Sequence, residues 1–268
     1  MQTNDLNQQI NIAVVTLDSL RYDIAIEAHT PQLDAILNDI QAGSWRRVYS
    51  RGEFTLPSHF CAFHSGHLPS NNGPEPIYNH WEQAAFRVHL PWSESKNTLY
   101  KLPIAPNIVK GFELSGSKTV GVGGVGWFDT RSRTTSLWKE QFFQEFYWKE
   151  AYSELNPYGF EAQLNDIQAL NLKRSSKRLF FFLNISSTHW PYGQQPIGLN
   201  WEGTAIMQRK RLEYIDRHLE KLCNSLPTPC HYFIFSDHGE CFGEDGLFGH
   251  GFYHPKVHEV PMVHFILR

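Results

Sequence analysis

The chain has 268 residues, 41% of them hydrophobic and 14% aromatic, enough apolar material for one sizeable core and little reason for two. With 24 basic against 27 acidic side chains, the net charge of -3 excludes the electrostatic footprint of a general nucleic-acid binder. The polar start MQTNDLNQQ lacks a secretory pattern, no apolar run reaches membrane-spanning length, and Cys61, Cys223, Cys230 and Cys241 form no CxxC pair; the expectation is a cytoplasmic chain with no membrane span, reduced thiols and no zinc ribbon.

Residues 12–17, IAVVTL, form a continuous apolar and β-branched run that predicts a strand buried on both faces in a parallel sheet. Thr30 and Pro31, followed by Leu33, Ile36, Leu37 and Ile40, predict a helix with a threonine cap, proline at its first position and an end near Gly43. Pro57 in FTLPSHF suits the first turn of a second helix with Thr55 at its start. The stretch 67–106, rich in Pro, Asn, Ser and Trp, reads as a long surface excursion of the kind that serves a site. Strands over 118–122, 178–185, 231–236 and 262–267, with a long amphipathic helix over 204–226, continue the alternation. The aromatic run FFQEFYWKEAY either shapes a pocket or, the favoured reading, packs a loop against the domain. Parallel neighbours need crossover connections, and no repeat or linker is legible. The expected architecture is therefore one domain over 1–268, a three-layer α/β/α sandwich on a mostly parallel sheet.

Ligands of such sheets bind beyond the carboxyl ends of the strands, where acids or histidines stand in three cases: Asp18, His189, and the pair Asp237 and His238. Asp18 alone would read as a turn or cap acid. In DSLRYD, however, it belongs to a charge cluster that needs either a metal or an internal Arg21 to Asp23 pair. In SDHGECFGEDGLFGHG an acid adjoins an imidazole and closely spaced glycines follow, a donor set that suits Zn²⁺ or Mn²⁺ better than Ca²⁺. His250 and His254 are candidate ligands, substrate contacts or proton donors. Thr55 alone reads as an N-cap; beside the other groups, a hydroxyl at a helix N-terminus is a candidate nucleophile.

Taken in order, these segments resemble the sulfatase-like branch of the alkaline phosphatase superfamily, which includes sulfatases, phosphonate monoester hydrolases and phosphoethanolamine or lipoteichoic-acid-type phosphotransferases. DSLRYD is similar to the first metal motif, TLPSHFCAFHSGHLP to the nucleophile segment that sulfatases write CxPSR, and STHWPY to the HxP segment. SDHGECFGEDGLFGHG is similar to the second metal motif and HEVPMVHFIL to the closing strand. The resemblance implies one divalent ion, Zn²⁺ or Mn²⁺ ahead of Mg²⁺ or Ca²⁺, held by Asp18, Asp237, His238 and the Thr55 oxygen. It implies Thr55, His189 and His250 as catalytic groups, and Arg21, His59 and His254 as substrate contacts.

The departures direct the choice of ester. Oxidised threonine would be a ketone, so no formylglycine forms at Thr55. His59 stands in place of the CxPSR arginine, GVGGVGWF in place of GKWH, and no second metal triad is legible, Asp216 and His218 lying within the long helix. The expected function is a metal-dependent hydrolase or transferase of small-molecule phosphate mono- or diesters through a phospho-threonine. The rivals are a sulfate ester hydrolase and a non-catalytic metal-binding member of the fold; a serine hydrolase lacks its GxSxG elbow.

Overall fold

The structure, a computed structural model, describes residues 10–40, 43–64, 107–132, 135–193 and 201–268. The excursion over 67–106 lies outside them. The strands are β1 (Asn11–Leu17), β2 (Arg46–Tyr49), β3 (Lys118–Val122), β4 (Glu145–Tyr147), β5 (Leu179–Ile185), β6 (Cys230–Ser236), β7 (Cys241–Phe242), β8 (Phe248–Gly249) and β9 (Glu259–Leu267). The α-helices are α1 (Tyr22–Glu27), α2 (Pro31–Asp39), α3 (Thr55–Phe63), α4 (Ile108–Leu114), α5 (Gly159–Ala169), α6 (Trp201–Asp216), α7 (Leu219–Cys223) and α8 (Pro255–His258).

Seven strands form one sheet in the order β2-β9-β6-β1-β5-β3-β4. The run from β6 to β4 is parallel, and β9 closes it antiparallel to β6 with β2 antiparallel on its outer side. β1 lies between β5 and β6, as its unbroken apolar run predicts. Helices cover both faces, and the alternation of side chains along β5 shows why. Leu179, Phe181, Leu183 and Ile185 join a core with Leu33, Leu37, Leu212 and Ile215, whereas Phe180 and Phe182 join one with Phe60, Phe63, Trp138 and Phe143. The mostly parallel sheet with helices on both faces is the architecture the sequence predicts. Phe142, Phe143 and Phe146 of the aromatic run are buried in the second core, so that run packs the fold.

Three local expectations are corrected. The helix read over 204–226 is two helices, α6 and α7, because the His218 side chain takes the Tyr214 carbonyl and the His218 N–H turns to the Ile215 carbonyl at 3.0 Å instead. His218 bonds through Nδ1 to the Tyr214 carbonyl at 2.9 Å, and the Asp216 carboxylate accepts the N–H groups of Gln32 at 3.0 Å and Leu33 at 2.9 Å. Asp216 therefore caps α2 from a neighbouring helix, the task expected of Thr30, whose hydroxyl bonds to Asp34 at 3.5 Å instead. Thr55 is the first residue inside α3, with Phe54 at the N-cap position and no side-chain cap bond. All four cysteines are free and buried, and burial pushes the thiols of Cys223, Cys230 and Cys241 up to about 11, 12 and 11.

Candidate metal centre and active site

Register places the acids. Leu17 pairs with both Ile185 and Ser236, so Asp18 and Asp237 emerge side by side at the carboxyl ends of β1 and β6, where parallel sheets present ligand sites. Asp18, Thr55, Asp237 and His238 are 0%, 1%, 3% and 0% exposed. One ligand atom from each of Asp18, Asp237 and His238 lies within 4.8 Å of the others. His238 Nε2 is 3.8 Å from Asp18 Oδ1 and 3.6 Å from Asp237 Oδ2. The Thr55 hydroxyl donates to Asp18 Oδ2 at 3.4 Å and lies 3.5 Å from His238 Nε2.

The chemistry of this set fits a divalent cation. His238 Nδ1 donates to the Gly239 carbonyl at 2.9 Å, which leaves the Nε2 lone pair facing the carboxylates. Asp237 Oδ1 accepts the N–H groups of Ser19 at 3.2 Å and His238 at 3.0 Å, while its Oδ2 is buried with no hydrogen-bond partner. A buried, unpaired carboxylate oxygen is costly without a counter-charge. Burial, and then the charge of Asp18, push the Asp237 carboxyl well above the usual carboxylate range. Burial and the neighbouring His250 push His238 well below the usual imidazole range. A bound cation reverses the first shift and reinforces the second, favouring the ionised carboxylate and neutral imidazole that can ligate it, and a mixed oxygen and imidazole set is suited to Zn²⁺ or Mn²⁺.

The approach to α3 is tied to Asp237 through the Ser50 side chain. The Ser50 hydroxyl donates to the Asp237 carbonyl and the Ser58 hydroxyl to the Phe54 carbonyl at 2.9 Å. Gly52 passes so close to Ser58 that a Cβ there would lie 2.4 Å from its nitrogen, a close approach that only glycine permits. On the other side, the Gly251 N–H donates to the Glu53 carbonyl at 2.9 Å, joining the segment that carries His250 to the one that carries Thr55.

His189 and His250 stand next to the donor set. The His250 ring centroid is 4.3 Å from that of His238 and 5.4 Å from that of His189. Burial alone would lower His189, but the charges of Asp18, Glu154 and Glu240 outweigh it and hold its pKa above the ordinary value. Glu240, 3% exposed, accepts from Tyr192 at 2.8 Å and Gln208 at 3.2 Å and presents its other oxygen 3.9 Å from His250 Nδ1.

The structure thus gathers Asp18, Thr55, Asp237, His238, His189 and His250. It does not leave Arg21, His59 and His254 free as the expected substrate contacts. Arg21 holds Asp23 through two hydrogen bonds of 2.9 and 2.6 Å and Glu244 through one of 2.6 Å, and stacks on Phe242. Of the two compensations open for DSLRYD, the internal pair takes Arg21 and leaves Asp18 in the donor set with Asp237 and His238. His59 is buried, 5.1 Å from Phe128 and 5.4 Å from Phe182 by ring centroids, with both nitrogens engaged. His254 caps α8 through the Lys256 N–H and lies 3.3 Å from Asp245.

Asn184, Glu240 and Glu244 carry weight that the sequence reading missed. Asn184 had a visible signal, a lone amide in the apolar strand LFFFLNI. The segment GVGGVGWF, where sulfatases have GKWH, supports it: a Cβ on Gly124 would lie 2.6 Å from the Asn184 carbonyl, and Val125 N–H donates to the Asn184 side chain at 3.3 Å.

No protein-family model and no curated protein matches the sequence. Solved structures do match in fold. A protein in the alkaline phosphatase superfamily from Vibrio parahaemolyticus superposes with a TM-score of 0.60 at 13% identity, covering 97% of this chain and 60% of that one. The chain has the alkaline phosphatase superfamily fold. The C-terminal periplasmic domain of EcEptC from Escherichia coli, in complex with Zn, shares it at a TM-score of 0.63 and 13% identity, covering 97% of this chain and 73% of that one. So does the soluble domain of lipooligosaccharide phosphoethanolamine transferase A from Neisseria meningitidis, at 0.62 and 14%, covering 97% and 77%. Within this superfamily fold the chain spans about 60% of the length of the Vibrio protein, and none of its described helices is long and apolar enough to cross a membrane.

Proposed function

We propose that this chain is a metal-dependent phosphoester hydrolase or phosphotransferase that uses Thr55 as a covalent nucleophile on a small-molecule phosphate mono- or diester. One observation carries the reading: the Thr55 hydroxyl lies 3.4 Å from Asp18 and 3.5 Å from His238, in a buried donor set with an unpartnered carboxylate oxygen. A capping hydroxyl bonds to the N–H groups of its own helix; this one faces the acids. The zinc complex of one structure with this fold, and the phosphoethanolamine transferase named for another, support a divalent ion and a phosphorus ester.

A divalent ion held by Asp18, Asp237, His238 and the Thr55 oxygen would lower the pKa of the hydroxyl and neutralise charge building on the phosphoryl oxygens. Thr55 gives up its proton, for which Asp18 Oδ2 is the acceptor it already faces. Its oxygen then attacks phosphorus in line, and the new O–P bond forms as the bond to the leaving oxygen breaks. His189 or His250 donates the proton the leaving oxygen takes up, a contribution of about 10² to 10⁴ in rate. Water or an acceptor alcohol attacks the phospho-threonine, the histidine takes the incoming proton, and Asp18 returns its own to Thr55.

The test is side-by-side turnover of an aryl phosphodiester and an aryl sulfate by the zinc-loaded chain and its Thr55→Ala variant. The proposal predicts phosphodiester turnover that the variant loses while keeping its zinc. Preference for the sulfate ester, or full activity in the variant, overturns it, and zinc binding with no turnover of any ester favours a non-catalytic member of the fold.

A further inference from the structure

A buried polar chain runs beneath the metal centre from β5 through β1 to α3. Asn184 is 0% exposed and pairs in register with Thr16, so their side chains rise on the same face of the sheet. The Asn184 amide nitrogen donates to Asp18 Oδ2 at 3.1 Å and to Thr16 Oγ1 at 3.1 Å, while its oxygen accepts the Val125 N–H at 3.3 Å. Thr16 Oγ1 lies 2.9 Å from His59 Nε2, and His59 Nδ1 lies 2.6 Å from the Thr55 carbonyl and 3.7 Å from Asp237 Oδ2.

With His59 neutral, one arrangement of hydrogens satisfies every bond in this chain. The Thr55 carbonyl can only accept, so His59 Nδ1 carries a hydrogen. A neutral His59 then accepts at Nε2 from the Thr16 hydroxyl, whose oxygen accepts from the Asn184 amide. The amide cannot turn over, because its oxygen would then face the Asp18 carboxylate and its NH₂ group the Val125 N–H.

We infer that Asn184 is a positioning residue for this centre: it holds Asp18 Oδ2, leaves Oδ1 to face His238 and the ion, and through Thr16 and His59 sets the first turn of α3 so that the Thr55 hydroxyl meets them. The inference rests on the metal-centred reading above. It assigns His59, which replaces the arginine of the sulfatase motif, a place under the nucleophile helix instead of against substrate. Partners of metal ligands typically change metal affinity by about 10- to 100-fold when removed.

The test measures zinc affinity by chelator competition, with kcat and KM at saturating zinc, in Asn184→Leu and Thr16→Val. Asn184→Leu is expected to stay folded by near-ultraviolet circular dichroism, to bind zinc about 10- to 100-fold more weakly and to lose kcat with little change in KM. Thr16→Val, which cuts the link to His59 and leaves the Asp18 bond intact, is expected to lose kcat while its zinc affinity changes less than that of Asn184→Leu. A folded Asn184→Leu with unchanged zinc affinity overturns the inference. Should Asn184→Leu not fold, Thr16→Val decides: unchanged kcat and zinc affinity overturn the inference, and a loss of kcat upholds it. Failure of the unaltered chain to bind zinc would instead remove the reading on which the inference rests, so the two failures are distinguishable.

Discussion

At the scale of single residues, the centre pits two like charges against each other in a dry place. Asp237 is fully buried beside Asp18, and one of its oxygens has no partner, so in metal-free protein the pair opposes folding, while in metal-loaded protein it holds the ion. Asp237→Asn is therefore expected to raise the melting temperature of chelator-treated protein, by roughly 1 kcal/mol or about 2–4 °C for a chain of this size, and to abolish stabilisation by added zinc. Thermal denaturation with and without chelator checks both signs, and a lower melting temperature for the metal-free variant would contradict this account. Thr55→Ala separates the roles: because two acids and an imidazole remain, zinc stays bound, while turnover falls to background.

At the scale of elements, the β7–β8 hairpin is the device that delivers His250. Glu244 at its turn accepts from Arg21 at 2.6 Å and from the Phe242 N–H at 2.6 Å, and Gly249 and Gly251 flank His250 with φ of 76° and 94°. At those angles an added Cβ costs roughly 1–2 kcal/mol. Gly251→Ala is predicted to lower kcat with little effect on zinc affinity, since it displaces His250 but none of the metal ligands; equal kcat would show that His250 takes no part. Asp216→Ala should cost about 1 kcal/mol of stability through the uncapped α2 and leave zinc affinity unchanged, measurable by urea denaturation and chelator competition.

The same elements show what a sequence read alone can reach. β1 and β5 are legible because buried parallel strands are continuous apolar runs, and the acids and His189 that follow β1, β5 and β6 stand where such sheets bind ligands. The capping of α2 by Asp216 is not legible, because it is a contact 183 residues away in sequence. Arg21, His59 and His254 carry the right chemistry for substrate contacts. The engagement of Arg21 by Glu244 and of His59 by Thr16 arises from segments whose proximity no spacing along the chain expresses.

At the scale of the whole molecule, metal and pH act through groups that can be named. An ion that binds only the folded state stabilises it by about 2.7 kcal/mol at a free concentration of 100 times its Kd, so chelation should lower the melting temperature and zinc restore it. In acid a second ligation-free pair takes over. Burial alone would raise the Asp23 carboxyl, but hydrogen bonds and charges from Arg21 and Lys256 outweigh it and hold the group at about 2, against 3.8 for the free side chain. Because the folded state binds its proton later than the unfolded one, this contribution is complete above pH 3.8 and is lost as the pH falls through 2. Asp23→Asn should thus weaken the fold at neutral pH and make progressively less difference as the pH falls from 3.8 through 2, read from urea midpoints across that window.

The central claim is that Thr55 becomes covalently phosphorylated during turnover. It is tested most directly by acid-quenching the zinc-loaded chain during reaction with an aryl phosphodiester and mapping the modified peptide by mass spectrometry. One phosphoryl-ester adduct is expected, on Thr55. Turnover with Thr55 unmodified and the adduct on another residue would contradict it.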